Sequence, residues 1–138
     1  MAMETAEQHG AELVLANDPD ADRLAVAEKT ASGWRAFRGD EIGVLLAHWQ
    51  WRQLQAAGGA PDGARVTMLA STVSSSMLGA LAKAEGFEFE ETLTGFKWMG
   101  QRAAELREAG VVVPFAYEEA IGYCVGDMLK DKDGLSAA

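Results

Sequence analysis

Val111-Val112-Val113-Pro114-Phe115-Ala116-Tyr117 is an almost continuous apolar run. A strand with one wet face alternates between apolar and polar residues. A strand covered by helices on both faces has no need to, so this run reads as a central parallel strand. Pro114 carries no N–H and predicts an irregularity partway along it. Working back from this strand, Gly110 stops a helix predicted over Trp98–Ala109, with Met99, Ala103 and Leu106 turned inward. Phe87–Glu91 reads as a strand. Ser74–Glu85 reads as a helix, with Met77, Leu78 and Leu81 inward and Gly86 past its end. Arg65–Ala70 reads as another strand. Strands alternating with helices of this length predict an α/β unit with a mixed, mainly parallel sheet.

Upstream lies Ala56-Ala57-Gly58-Gly59-Ala60-Pro61-Asp62-Gly63, a run of small residues, glycines and one proline that reads as a linker. It divides the chain into residues 1–56, a junction at 57–63, and residues 64–138. Residues 1–11 suggest a helix. Leu13–Ala16, Leu24–Glu28 and Trp34–Phe37 suggest strands, the last two joined by a turn at Ser32-Gly33. Gly39-Asp40-Glu41 opens a helix with acidic residues where they suit its dipole. That helix should run to about Gln55, with Ile42, Leu45, Leu46 and Trp49 on one face. The last residues, Lys132 to Ala138, read as the first turn of a further helix. With little ahead of the first strand to pair with it, the chain reads as an internal piece of a larger protein. Alone, such a piece should expose an unpaired edge and apolar surface and tend to associate.

Nearly half of the 138 residues are apolar, so a packed core is expected. The net charge of −9 argues against general nucleic-acid binding, which needs clustered Lys and Arg. No apolar stretch reaches the ~20 residues of a membrane span, so no membrane partner is expected. Cys124 is the only cysteine. It rules out an internal disulfide and a cysteine-built zinc site, and fits a reducing, cytoplasmic setting.

Three polar segments follow predicted strands. Asp18-Pro19-Asp20-Ala21-Asp22-Arg23 comes after Leu13–Ala16, Thr94-Gly95-Phe96-Lys97 after Phe87–Glu91, and Glu118-Glu119-Ala120-Ile121-Gly122 after Val111–Tyr117. Ligands of open α/β sheets bind beyond the carboxyl ends of strands. In the first segment, carboxylates at 18, 20 and 22 can converge if the backbone curls, and they repel one another unless a cation lies between them. Hard oxygen ligands select Mg²⁺ or Ca²⁺. An EF-hand loop fails twice, because the expected sixth-position glycine is Arg23 and the twelfth-position glutamate is Lys29. A solvated acidic turn is the alternative, and the spacing of the three carboxylates favours the metal over it. In the second segment, a helix N-terminus and Lys97 could hold an anion, or Thr94 could simply cap a helix. In the third, adjacent carboxylates could accept hydrogen bonds from sugar hydroxyls, or remain solvated charges. Serines 71 and 74–76 read as caps for the helix that follows.

Taken in order, these segments resemble the α-D-phosphohexomutase superfamily of phosphoglucomutase-, phosphomannomutase- and phosphopentomutase-like enzymes. Asp18 to Arg23 resembles its metal loop, and Gly39-Asp40-Glu41-Ile42-Gly43 the segment after it. Thr94 to Lys97 resembles a Thr-Gly turn of the third domain, Glu118 to Tyr123 the sugar-recognition loop, and Lys132-Asp133-Gly134 a lysine turn that touches substrate phosphate. The resemblance implies parts of two consecutive three-layer α/β/α domains. Residues 1–56 would be the end of a metal-binding second domain and 64–138 a truncated sugar-recognition third domain. It implies Mg²⁺ on Asp18, Asp20 and Asp22, and substrate binding by Arg23, Thr94, Gly95, Lys97, Glu118 and Lys132. It further implies a phosphoserine donor outside the chain, a sugar bisphosphate intermediate or activator, and partner domains of the same polypeptide. No Ser-His-Asn-Pro-like donor sequence and no Arg-rich Ser-Gly-Thr phosphate loop occur, so no catalytic nucleophile is expected within these residues. A non-catalytic relative that binds a sugar phosphate or a partner is the alternative. Ala120 stands where many hexose-specific members carry serine. This form is similar to the phosphopentomutase-like and glucose-1,6-bisphosphate synthase-like branch, and leaves glucose, mannose and pentose open.

Overall fold

The computed structural model describes residues 1–138. A short helix, α1 (Ala2–Gln8), leads into an antiparallel sheet of β1 (Leu13–Asn17), β2 (Leu24–Thr30) and β3 (Gly33–Ala36), in that order. The turn between β2 and β3 is closed by Thr30, whose hydroxyl donates to the Gly33 carbonyl at 2.7 Å. Then come α2 (Gly39–Ala56), β4 (Thr67–Ser71), α3 (Met77–Glu85), β5 (Glu88–Thr92), α4 (Phe96–Glu108), β6 (Phe115–Glu118), β7 (Gly122–Val125) and a final turn, α5 (Gly134–Ala137). The second sheet has the order β5-β4-β6-β7. β4 runs parallel to both neighbours, and β6 and β7 form an antiparallel hairpin.

The apolar run at 111–117 becomes a central strand with the break that Pro114 predicts. Val112 bridges to Val66, and regular pairing resumes only at Phe115. The freed acceptors around the break are used: Pro114 O takes the N–H of Gly126 at 2.8 Å, and Val113 O takes an Arg107 Nη at 2.9 Å. Side chains of β4 and β6 alternate between two cores. Met68, Ala70, Phe115 and Tyr117 face one way, among Ile42, Ala47, Trp51 and Leu78 of α2 and α3. Leu69 and Ala116 face the other, among Met99, Ala103 and Leu106 of α4. Helices therefore cover both faces, which makes this unit a three-layer α/β/α sandwich.

Helix α2 differs from its sequence-based expectation in two ways. Leu45 and Trp49 are exposed, and the buried face is Ile42, Gly43, Ala47 and Trp51. Close approach decides this rotation. A Cβ on Gly43 would lie 2.4 Å from the ring of Tyr117, and one on Gly39 would lie 1.8 Å from the carbonyl oxygen of Glu119. Helix α2 also packs on the second sheet. Trp51 stacks obliquely on Phe87 at 5.0 Å, and Tyr123 donates its hydroxyl hydrogen to Gly39 O. The segment 57–63, with its tight turn at Pro61–Gly63, thus joins two elements of one layered unit rather than separating two units. Two helix starts also move. Helix α3 begins at Met77, which is largely exposed, and α4 begins at Phe96. The expected apolar surface is present as a groove of about 230 Å³ between the first sheet and α2, lined by Leu13, Leu15, Val26, Phe37, Leu45 and Leu46.

Candidate metal and sugar-phosphate site

The loop after β1 curls back on itself. Ala21 takes a left-handed conformation (φ 57°), and its N–H donates to Asp18 O at 2.9 Å. This curl brings one carboxylate oxygen from each of Asp18, Asp20 and Asp22 within 4.8 Å of one another. Two cations offset the crowding. Arg23 donates its backbone N–H and Nε to the two oxygens of Asp18, at 3.2 and 2.6 Å. Lys132 Nζ lies 3.0 Å from Asp22 Oδ2. The other oxygen of Asp22, Oδ1, is buried with no hydrogen-bond partner, its nearest cation being Arg23 Nε at 3.6 Å. A buried carboxylate oxygen left without a donor is costly, and a cation there would satisfy it. The donor set is all hard oxygen, so these residues fit Mg²⁺ or a similar ion.

Protonation equilibria follow these contacts. Partial burial pushes Asp18 up, but the hydrogen bonds and charge of Arg23 outweigh it and hold the carboxyl below its ordinary range. The hydrogen bond to Asp22 raises Lys132 above the ordinary lysine range, against a smaller opposing effect of burial. Both groups are charged at neutral pH.

The Asp18–Asp22 loop is stitched directly to the β6–β7 turn. Arg23 forms an antiparallel bridge with Gly122, and Leu24 N donates to Ile121 O at 3.1 Å. Ile121 is the second non-glycine residue in the site with left-handed backbone (φ 58°). Such residues persist where surrounding contacts over-determine them. The lysine turn closes a third side: Gly134 N donates to Ala21 O, Asp133 N to Tyr123 O, and Asn17 Nδ2 to Arg23 O at 2.8 Å. Lys132 Nζ sits 5.7 Å from the centre of the Phe96 ring.

Glu118 reaches across to the start of α4, where its Oε1 accepts the N–H of Gly95. Its other oxygen has no protein donor. The N-terminus expected to receive a phosphate is thus partly occupied by Glu118 itself. Thr94 and Lys97 make no side-chain bond to the acidic loop or to Glu118. Both are exposed, and Lys97 Nζ lies over the ring of Trp98 at 4.6 Å. Asp18, Asp20, Asp22, Arg23, Gly95, Glu118 and Lys132 are brought together. Glu119 is not a free surface charge, and Ser71 and Ser74 do not cap α3: the two serine hydroxyls lie 3.0 and 3.4 Å from Glu119 Oε2. Asp40, Asn17 and this serine pair escaped the sequence reading. Their partners lie 6 to 77 positions away, and the cues were the serine-rich stretch and the acidic start of α2.

Residues 38–138 match the family model described as phosphoglucomutase/phosphomannomutase, alpha/beta/alpha domain III. The chain belongs to this family. Its matched region begins at the residue before α2, in keeping with that helix packing on the second sheet. Among similar family members, a phosphopentomutase from Mus musculus is 56% identical over 135 residues, covering 96% of this chain and 22% of the relative. Glucose 1,6-bisphosphate synthase from Homo sapiens is 48% identical over 142 residues, covering all of this chain and 22% of the relative. The chain therefore spans less than a quarter of the length of these relatives. A crystal structure of a phosphoglucomutase/phosphomannomutase family protein from Burkholderia thailandensis superimposes with a TM-score of 0.71 at 23% identity, over 98% of this chain and 26% of that one. It shares the fold. The family model and the similarity to a phosphopentomutase make this chain a member of a phosphosugar mutase family.

Proposed function

We propose that these residues form the metal-binding and sugar-recognition part of a phosphosugar mutase, which moves a phosphoryl group between the anomeric and terminal oxygens of a sugar phosphate. The observation that carries this is the juxtaposition of the three-carboxylate loop, its orphaned Asp22 oxygen, two cations and Glu118. Asp18, Asp20 and Asp22 would hold Mg²⁺, which when bound neutralises charge on a phosphoryl group in transfer. Arg23 uses only Nε on Asp18, so its two terminal nitrogens remain to grip a phosphate or sugar oxygen as a fork. Lys132 spends one donor on Asp22 and has others for a phosphate. Glu118 is aimed by its bond to Gly95, and its free oxygen accepts from sugar hydroxyls and so reads their arrangement.

The phosphoryl donor would be a phosphoserine supplied by the remainder of a longer polypeptide, with a sugar bisphosphate as intermediate. The 56% identity to a phosphopentomutase, together with Ala120, supports a pentose phosphate as substrate ahead of a hexose phosphate.

The test is turnover by the full-length protein of ribose 1-phosphate and of glucose 1-phosphate, with and without EDTA. Mg²⁺-dependent conversion to the 5- or 6-phosphate is expected. Sugar-phosphate binding without turnover would replace the mutase reading with that of a non-catalytic binding relative.

A further inference from the structure

The chemistry above uses Glu118 and leaves its neighbour unexplained. Glu119 points the opposite way, into the end of β4. Ser71, at the carboxyl end of that strand, is 1% exposed and lies 3.0 Å from Glu119 Oε2. The Ser71 and Ser74 hydroxyl oxygens are 2.8 Å apart, and the backbone N–H of Glu119 donates to Ser74 Oγ at 3.2 Å. Each hydroxyl has one hydrogen, and the shortest contacts are satisfied by a closed ring, with Ser74 Oγ also 3.4 Å from Glu119 Oε2. Glu119 N–H donates to Ser74, Ser74 to Ser71, and Ser71 back to the Glu119 carboxylate. Such rings polarise their members and favour one geometry.

The ring is braced on its far side. Asp40 Oδ1 accepts both the N–H of Ser75 at 2.7 Å and the hydroxyl of Tyr117 at 3.0 Å. The carbonyl of Glu119 abuts Gly39 so closely that no side chain fits between them. The turn that carries Glu118 is therefore gripped at Glu119 from two elements, while Ile121 beyond it holds a strained backbone.

We propose that Glu119, through Ser71 and Ser74, is a positioning residue that sets the direction of the Glu118 carboxylate and with it the discrimination between sugar phosphates. This rests on the reading of Glu118 as the sugar-recognition residue. Without the ring, Glu118 keeps its bond to Gly95 and the turn keeps its strand pairing and its bridge to Arg23, but nothing ties the Glu119 side chain to the end of β4.

The experiment compares wild-type full-length protein with E119A, E119Q and S71A/S74A. It measures equilibrium binding and kcat/KM for ribose 1-phosphate and glucose 1-phosphate, together with Mg²⁺ affinity and melting temperature. Expected for E119A and S71A/S74A is a loss of about tenfold or more in kcat/KM for the preferred sugar, with the preference between the two sugars shrinking toward one. Mg²⁺ affinity should hold. E119Q keeps an acceptor oxygen for Ser71 and should recover most of the loss. A lower melting temperature with undiminished sugar preference, in either E119A or S71A/S74A, would overturn the proposal and leave Glu119 a merely structural residue. Absence of turnover in wild type would break the mutase reading alone, because discrimination in binding still tests Glu119. Wild type that binds neither sugar phosphate would end both.

Discussion

The two sheets are built from similar amounts of chain and are covered very differently. Every residue of β4 is buried, whereas β1 is half open, with Leu13 55% and Leu15 46% exposed. β4 has helices from its own chain on both faces. β1 has α1 near one edge and the apolar groove beside α2 on one face. The candidate site lies on the seam between them: the acidic loop leaves the open sheet, and Glu118 and Lys132 come from the closed unit.

The largest effect that probes the seam is at the metal loop. Asp20→Asn in the full-length protein should lower kcat by about 10²–10³-fold or more while leaving the melting temperature near wild type. Retained activity would break the metal assignment. Within the closed unit, Leu69→Ala empties a fully buried position between β4 and α4. It should destabilise by about 2–5 kcal/mol in denaturant unfolding.

Gly43→Ala drives a methyl group into the Tyr117 ring and should cost about 1–3 kcal/mol, or displace α2. A neutral outcome would mean that α2 is not seated as described. The smallest stability effect is expected at Leu15→Ala in the 138-residue chain, about 0.5 kcal/mol or less, since that side chain is nearly half exposed. The same substitution in the full-length protein sharpens the comparison. A cost there of 2 kcal/mol or so would mean that other parts of the polypeptide cover the groove.

The Asp18–Arg23 pair adds a pH test of the open side. The folded-state pKa of Asp18 is depressed, so its contribution is present above the ordinary aspartate value of 3.8 and lost as pH falls through the lowered one. Lys132 has the opposite sign. Its raised pKa contributes below the ordinary lysine value of 10.5 and is lost as pH rises through the higher one. Stability should therefore be flat with respect to both between these limits. Carbon-13 NMR titration of the Asp18 carboxyl, with Arg23→Met as control, should show a midpoint that moves up when the guanidinium is removed.

Much of this was readable from local chemistry. The alternation of acids at 18, 20 and 22 is a statement about a few neighbouring residues, and a single tight turn at Ala21 realises it. Pro114 lacks its N–H in any fold, so the break in the central strand was legible too. Gly86 and Gly110 marked the ends of their helices, and Met99, Ala103 and Leu106 kept their spacing on the buried face of α4.

Other features depended on partners distant in sequence. Leu45 and Trp49 share a helical stripe with Ile42, but the face of α2 that packs was chosen by the glycines that admit Tyr117 and the Glu119 carbonyl. No periodicity within the helix encodes those neighbours. The role of the 57–63 segment changed for the same reason: its composition permits a junction, and the packing of α2 on the second sheet decides that none lies there.

Glu119 divides in the same way. The sequence by itself determined that it is charged and where in the chain it lies. Only the tertiary structure turned it toward Ser71 and Ser74, 48 and 45 positions away. A charged side chain in water has many directions of nearly equal energy, and long-range packing selects among them.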